Sequence, residues 1–190
     1  MAMHSELWFP NVIWSAIVHA VDNTAIKKWA YEKKRNDPGR RVSNYIGYQS
    51  TDIKQKENTE IDTLIDYVNK EVYNCCEQVG LPQCKIYNIW LNINPPGAYN
   101  TLHNHAGALF SGVYFVDATP DMGNLLFERG DGAEYFLPDN QQQLTYYNCS
   151  KTMYAAKTNA LYIFPGWLKH CVEGNKTNQD RISLSFNYGI

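Results

Sequence analysis

Hydrophobic positions recur at helical spacing in the first half of the chain and switch to strand-like alternation from about Lys85 onward. Ala25, Ile26, Trp29 and Ala30 form one helical set, with Asp22 or Asn23 placed to cap it and Asp37-Pro38-Gly39 to end it. Ile61, Leu64, Ile65, Val68 and Val72 form a stronger one. Thr59 with Asp62 approximates a capping box before that helix, and Gly80 with Pro82 supplies its stop. Between the two, Val42 to Ser50 reads as extended. The second half carries short strand-like runs over Ile86–Asn94, Leu109–Val116, Leu125–Phe127, Leu144–Tyr147, Leu161–Phe164 and Arg181–Tyr188, divided by Gly, Pro, Asn and Asp turns. Helices first and many short strands afterwards predict an α+β, mainly β architecture, an antiparallel barrel or jelly roll with helices on one face.

Two runs alternate clearly. Arg181, Ser183, Ser185 and Asn187 oppose Ile182, Leu184, Phe186 and Tyr188, while Asn88, Trp90, Asn92 and Asn94 oppose Tyr87, Ile89, Leu91 and Ile93. Period-two spacing puts each set on one side of its sheet. Either the polar sets face water, or they line a wet interior while the apolar sets pack beneath the helices.

Composition narrows this picture only modestly. A chain of 190 residues is enough for one domain with a core and an internal pocket. We expect a single domain over 1–190, with 1–84 a helical support region carrying an edge strand and 85–190 the β core. The formal net charge of −2 and pI near 6.2 provide no bulk field for nucleic acid or anionic membrane. The clustered Lys33, Lys34, Arg35, Arg40 and Arg41 read as a solvated helix end and turn rather than a phosphate site. The five cysteines, Cys75, Cys76, Cys84, Cys149 and Cys171, are odd in number and form no C-x-x-C, which points to reduced thiols and a cytoplasmic setting. No run reaches the length of a membrane span.

The candidate chemistry lies in the histidines. In His103-Asn104-His105 the two imidazoles are at i and i+2, so an extended backbone sends both to one side. His170 follows the run ending Phe164-Pro165-Gly166-Trp167. Ligands from two distant segments suit a barrel mouth, and imidazole suits Fe, Zn, Cu and Ni. An H-x-H alone also describes two surface histidines beside a turn.

The order of the surrounding segments adds to this. Gly97-Ala98-Tyr99-Asn100-Thr101-Leu102-His103-Asn104-His105 is followed by Ser111-Gly112-Val113-Tyr114-Phe115-Val116 and Gly123-Asn124-Leu125-Leu126-Phe127. Leu161-Tyr162-Ile163-Phe164-Pro165, His170 and Arg181-Ile182-Ser183 come after. Together with Leu7-Trp8-Phe9-Pro10 and Ser43-Asn44-Tyr45-Ile46-Gly47-Tyr48-Gln49-Ser50, this order resembles the Fe(II)/2-oxoglutarate oxygenase superfamily in its prolyl-hydroxylase-like branch. The likeness is greatest to small oxygenases of marine bacteria and their phages. The resemblance implies a double-stranded β-helix with helices on its larger sheet, and Fe(II) and 2-oxoglutarate as cofactors. It carries metal ligands onto His103 and His170, and onto Arg181 the basic residue that holds the far carboxylate of 2-oxoglutarate. A guanidinium can grip a carboxylate in bidentate fashion. Ser183 faces the same way. Asn94 stands where relatives place a tyrosine on the same carboxylate, and Ser111, Trp90 and Asn92 would line the cavity. The family pattern puts no ligand at Glu128 or Asp131.

One departure matters. Where the superfamily has H-x-D or H-x-E, this chain has His105. His105 is then a third ligand, a residue beside an open coordination position, or the mark of a lost activity. Three histidines and a water also describe a catalytic zinc site; the Arg-x-Ser pair argues for iron, because zinc hydration chemistry has no use for it. The expected activity is hydroxylation of a small-molecule or peptidyl substrate with release of succinate and CO2, in a cytoplasm that is the host's if the gene is phage-borne. The rivals are a non-catalytic metal- or ligand-binding β-helix and a three-histidine dioxygenase independent of 2-oxoglutarate. A homodimer is left open.

Overall fold

The computed structural model describes residues 3–6, 8–138 and 140–190. In chain order the elements are β1 (Trp14–Ile17), α1 (Asn23–Asn36), β2 (Asn44–Tyr45), β3 (Tyr48–Gln49), α2 (Thr59–Val79), β4 (Lys85–Asn94) and β5 (Tyr99–His103). There follow β6 (Phe110–Asp117), β7 (Leu125–Glu128), β8 (Lys151–Tyr154), β9 (Ala160–Pro165), β10 (His170–Val172) and β11 (Arg181–Gly189). Single 3-10 turns lie at Pro120–Met122 and Ala133–Phe136.

The strands form two antiparallel sheets, one in the order β1-β9-β6-β11-β4-β3 and the other β2-β5-β10-β7-β8. They enclose a double-stranded β-helix. The apolar side of the larger sheet (Ile89, Leu91, Ile93, Ile182, Leu184, Phe186 and Tyr188) packs with Ile26 and Ala30 of α1 and Ile61, Leu64, Val68 and Val72 of α2 in one buried cluster. A second cluster fills one end of the space between the sheets with Val113, Phe115, Leu125, Phe127, Tyr162 and Phe164. The polar sets of β4 and β11 therefore face inward, so the wet-interior alternative is the one the fold adopts.

Both helices end as their chemistry requires. The Asp22 carboxylate accepts from the backbone N–H groups of Thr24 and Ala25 at the start of α1. For α2 the cap is Asn58 rather than Thr59, its side chain accepting from the Ile61 N–H at 3.0 Å, while Asp62 reaches back to the Lys56 N–H. Gly80 takes the left-handed conformation, φ +70°, that closes the helix.

The structure differs from the sequence expectation in several places. Leu144–Tyr147 is a turn held by the Asn148 carboxamide, and the strand of that region is β8, four residues beyond its end. Exposed Leu144, Tyr146 and Tyr147 gave it a strand-like composition without a buried face. The first 84 residues supply three short strands rather than one. β1 and β3 edge the larger sheet, and β2 edges the smaller. The extended stretch 42–50 breaks at Ile46, φ +62°, so its two halves join opposite sheets. Leu7 lies outside the described residues, and neighbouring Trp8 and Phe9 are exposed. Among the described residues no helix is long and apolar enough to cross a membrane.

Candidate metal centre and its two chambers

β5 and β10 are adjacent antiparallel strands in which His170 stands directly opposite His103. His105 follows two residues after His103, where its backbone N–H donates to the Gly166 carbonyl at 2.8 Å. The imidazole centroids are consequently 4.4 Å apart for His103 and His170, and 5.0 Å apart for each of the other two pairs. One ligand atom from each ring lies within 4.8 Å of the others, which makes this the one group among the described His, Cys, Asp and Glu side chains that could hold a metal ion.

The rings are prepared as neutral donors. His103 Nδ1 donates to the Thr101 carbonyl at 2.7 Å and His170 Nδ1 to the Leu168 carbonyl at 2.9 Å, which leaves Nε2 of both with a free lone pair. Burial holds all three below the ordinary imidazole value, His105 at about 4 and His170 at about 3, with the neighbouring His103 adding to both shifts. No protons need to be displaced from these rings by an ion at neutral pH. Glu128 is paired with Lys151 at 2.6 Å and Asp131 with Arg129 at 2.7 Å, so neither carboxylate belongs to the cluster. The donor set suits a borderline divalent ion such as Fe(II).

Two adjacent chambers share His103 and His105 in their linings. The inner one, a cavity of about 40 Å³, is lined by all three histidines, Trp90, Asn92, Arg181, Ser183 and Ser185. Arg181 is 1% exposed and its Nη1 donates to the Met122, Gly123 and Glu173 carbonyls, yet its Nη2 has no acceptor and no carboxylate is bonded to it. Burial lowers its pKa to about 10, which still leaves it charged at neutral pH. A buried guanidinium with an unpaired nitrogen is costly unless an anion completes it. The loop that anchors Nη1 is tight at Gly123, where φ is +99° and a Cβ would press on the Glu173 carbonyl oxygen and force the loop to shift.

The outer chamber, a cavity of about 300 Å³, shares His103, His105, Trp90 and Ser43 with the inner one and adds Arg40, Gln49, Asn88 and Asn187. Two expected lining residues lie elsewhere. Asn94 pairs in register with Arg181, but its side chain abuts Gly47 and lines neither chamber; Ser111 is buried and donates to Asn187 Oδ1 at 2.7 Å. Sequence reasoning missed Arg40, Ser43, Asn100 and Ser185 as lining residues. Ser185 was legible from the β11 alternation, whereas Arg40 was hidden within a basic cluster at a helix end.

Residues 88–187 match the profile of the family described as "Putative 2OG-Fe(II) oxygenase". The chain belongs to that 2OG-Fe(II) oxygenase family. Its members are oxidoreductases, and Fe(II) and 2-oxoglutarate are the cofactors. No curated protein matches the sequence significantly. Among solved structures, a prolyl hydroxylase from Trichoplax adhaerens, in complex with a hypoxia-inducible-factor peptide fragment, is similar at TM-score 0.69 and 12% identity, covering 94% of this chain and 84% of that one. A Pseudomonas putida prolyl-4-hydroxylase is similar at TM-score 0.63 and 15% identity, over 94% and 92% of the two chains. A viral collagen prolyl hydroxylase from Paramecium bursaria Chlorella virus-1, in its 2OG complex, is similar at TM-score 0.63 and 12% identity, over 94% and 96%. At these identities the likeness shows the fold.

Proposed function

We propose that this oxygenase is an active 2-oxoglutarate-dependent hydroxylase whose iron is held by His103, His105 and His170 and whose co-substrate is clamped by Arg181. The observation that carries this reading is the coexistence on one cavity of three neutral imidazoles and a buried guanidinium lacking a carboxylate. His103 and His170 would ligate through Nε2, since their Nδ1 atoms are engaged. When bound, iron and 2-oxoglutarate supply the oxidising chemistry, in which O2 and 2-oxoglutarate give succinate, CO2 and an oxygenated C–H position.

The protein's own residues bind, orient and exclude. Three backbone carbonyls fix Arg181 Nη1, so Nη2 is left to take the far carboxylate of a dicarboxylate. Ser183 lines the same chamber two residues on and can donate a further hydrogen bond. Phe164 and Phe127 pack on the His170 ring, at 4.6 and 6.0 Å between centroids, and keep water from that side. With three neutral donors the site stays dicationic until the dianionic co-substrate arrives, so each cofactor should strengthen the binding of the other.

The test is succinate formation from 2-oxoglutarate. Fe(II)- and O2-dependent turnover is expected in the wild type, with the KM for 2-oxoglutarate raised on the order of tenfold or more in Arg181→Gln. An enzyme that ignores 2-oxoglutarate, or an Arg181→Gln variant with unchanged KM, would contradict the proposal.

A further inference from the structure

The outer chamber has a chemistry of its own. Arg40 is its one permanently charged lining residue, and no carboxylate lines it among the described residues. The Arg40 guanidinium carbon is 5.8 Å from the Trp90 ring centroid, and the His105 ring lies 5.8 Å from the same indole. Only Nη2 of Arg40 has an acceptor, Asp52 at 2.6 Å, and Nε is buried with none. Asp52 is half exposed and does not line the chamber. Around the same space stand three carboxamides. Asn88 Oδ1 is buried without a donor, Gln49 is 5% exposed with no side-chain hydrogen bond, and Asn187 spends its Oδ1 on Ser111. The Arg40 guanidinium and the Asn88 carboxamide thus carry hydrogen-bonding capacity that no protein group takes up and that faces the chamber, open to a ligand or to water.

We infer that the outer chamber is the binding site of a small-molecule substrate bearing an oxyanion, with Arg40 as its clamp and Asn88 and Trp90 as positioning residues. The inference rests on the functional reading above and deepens it by naming the substrate class. A carboxylate, or a phosphate-type anion of the same reach, pairs with the free edge of the Arg40 guanidinium. An N–H or O–H donor of the same molecule satisfies Asn88 Oδ1. The aliphatic part lies against Trp90, whose contact with His105 places that part beside the metal centre. The chamber's volume fits a metabolite of amino-acid size, and its single positive charge disfavours a cationic one.

The full chain is loaded with Zn(II), a redox-inert substitute for Fe(II), and its binding of 2-oxoglutarate is measured alone first. Saturation-transfer NMR then follows a panel of free and N-acetylated L-amino acids at saturating 2-oxoglutarate, each matched with its C-terminal amide and its phosphonate analogue. Saturable binding of at least one anion is expected, weakened on the order of tenfold or more in the matching amide and in Arg40→Gln. The carboxylate and phosphonate arms identify which anion the clamp takes. Arg40→Gln should keep 2-oxoglutarate binding, and Arg181→Gln should weaken it on the order of tenfold or more while retaining the probe. Anion binding that survives Arg40→Gln, equal binding of the neutral amide, or no probe bound to the 2-oxoglutarate-loaded protein would each overturn the inference. If 2-oxoglutarate itself fails to bind the wild type, the functional reading fails instead, and Arg40-dependent anion binding then stands on its own.

Discussion

His105 occupies the position where the family resemblance expects a carboxylate, so an ion held by the three histidines would meet a neutral imidazole there. Replacing it with Asp should tighten Fe(II) binding in the absence of 2-oxoglutarate and reduce the gain that 2-oxoglutarate brings, both read by metal titration. His105→Ala should weaken metal retention; a variant that holds Fe(II) as tightly as the wild type would remove His105 from the ligand set. The same burial gives the metal-free protein a pH signature. Histidines in the unfolded chain titrate near the ordinary value of 6.5, whereas His105 and His170 in the fold titrate at about 4 and about 3. The unfolded state therefore takes up protons first as pH falls. Stability is full above about pH 6.5 and is lost as pH drops toward the folded values. The Tm of metal-free protein should decline through that window, and the decline should flatten in a variant carrying His105→Gln and His170→Gln.

Among the elements, β4 and β11 were the most legible, because alternation over eight residues in each, 87–94 and 181–188, shows which positions share a face. α1 and α2 were legible for the same reason at helical period. The short strands were not. β5 and β10 span five and three residues, too few for periodicity to register, and β10 carries its histidine at the first of them. His103 and His170 could be paired in advance only through the family resemblance; their direct juxtaposition is a product of register. Arg40 was overlooked because a basic cluster reads as a solvated surface, and only the packing of that segment across Trp90 draws one member inward. Two predictions belong to this scale. Asn58→Ala removes the α2 cap and should cost about 1 kcal/mol in denaturant unfolding, with the metal centre unaffected. Gly123→Ala forces a Cβ against the Glu173 carbonyl and 2.6 Å from Arg181 Nη1. It should weaken 2-oxoglutarate binding on the order of tenfold while Fe(II) binding persists, since the histidines lie on other strands.

Across the whole molecule, the two helices bury the outer face of the larger sheet, which frees its inner face to be polar. That division allows Arg181, Ser183 and Ser185 to sit in a strand whose other side chains are core. The three histidines come from the smaller sheet and its exit loop and Arg181 from the larger sheet, so the candidate metal centre and the guanidinium share one cavity only because the two sheets face each other. One experiment tests this assembly most directly: metal-free protein is titrated under anaerobic conditions with Fe(II) and then 2-oxoglutarate while the visible charge-transfer absorption of an iron-chelated keto acid is followed. The account predicts a saturable band, absent in His170→Ala and requiring higher 2-oxoglutarate in Arg181→Gln. Wild-type protein that demonstrably holds Fe(II) at the three histidines but develops no such band would contradict it.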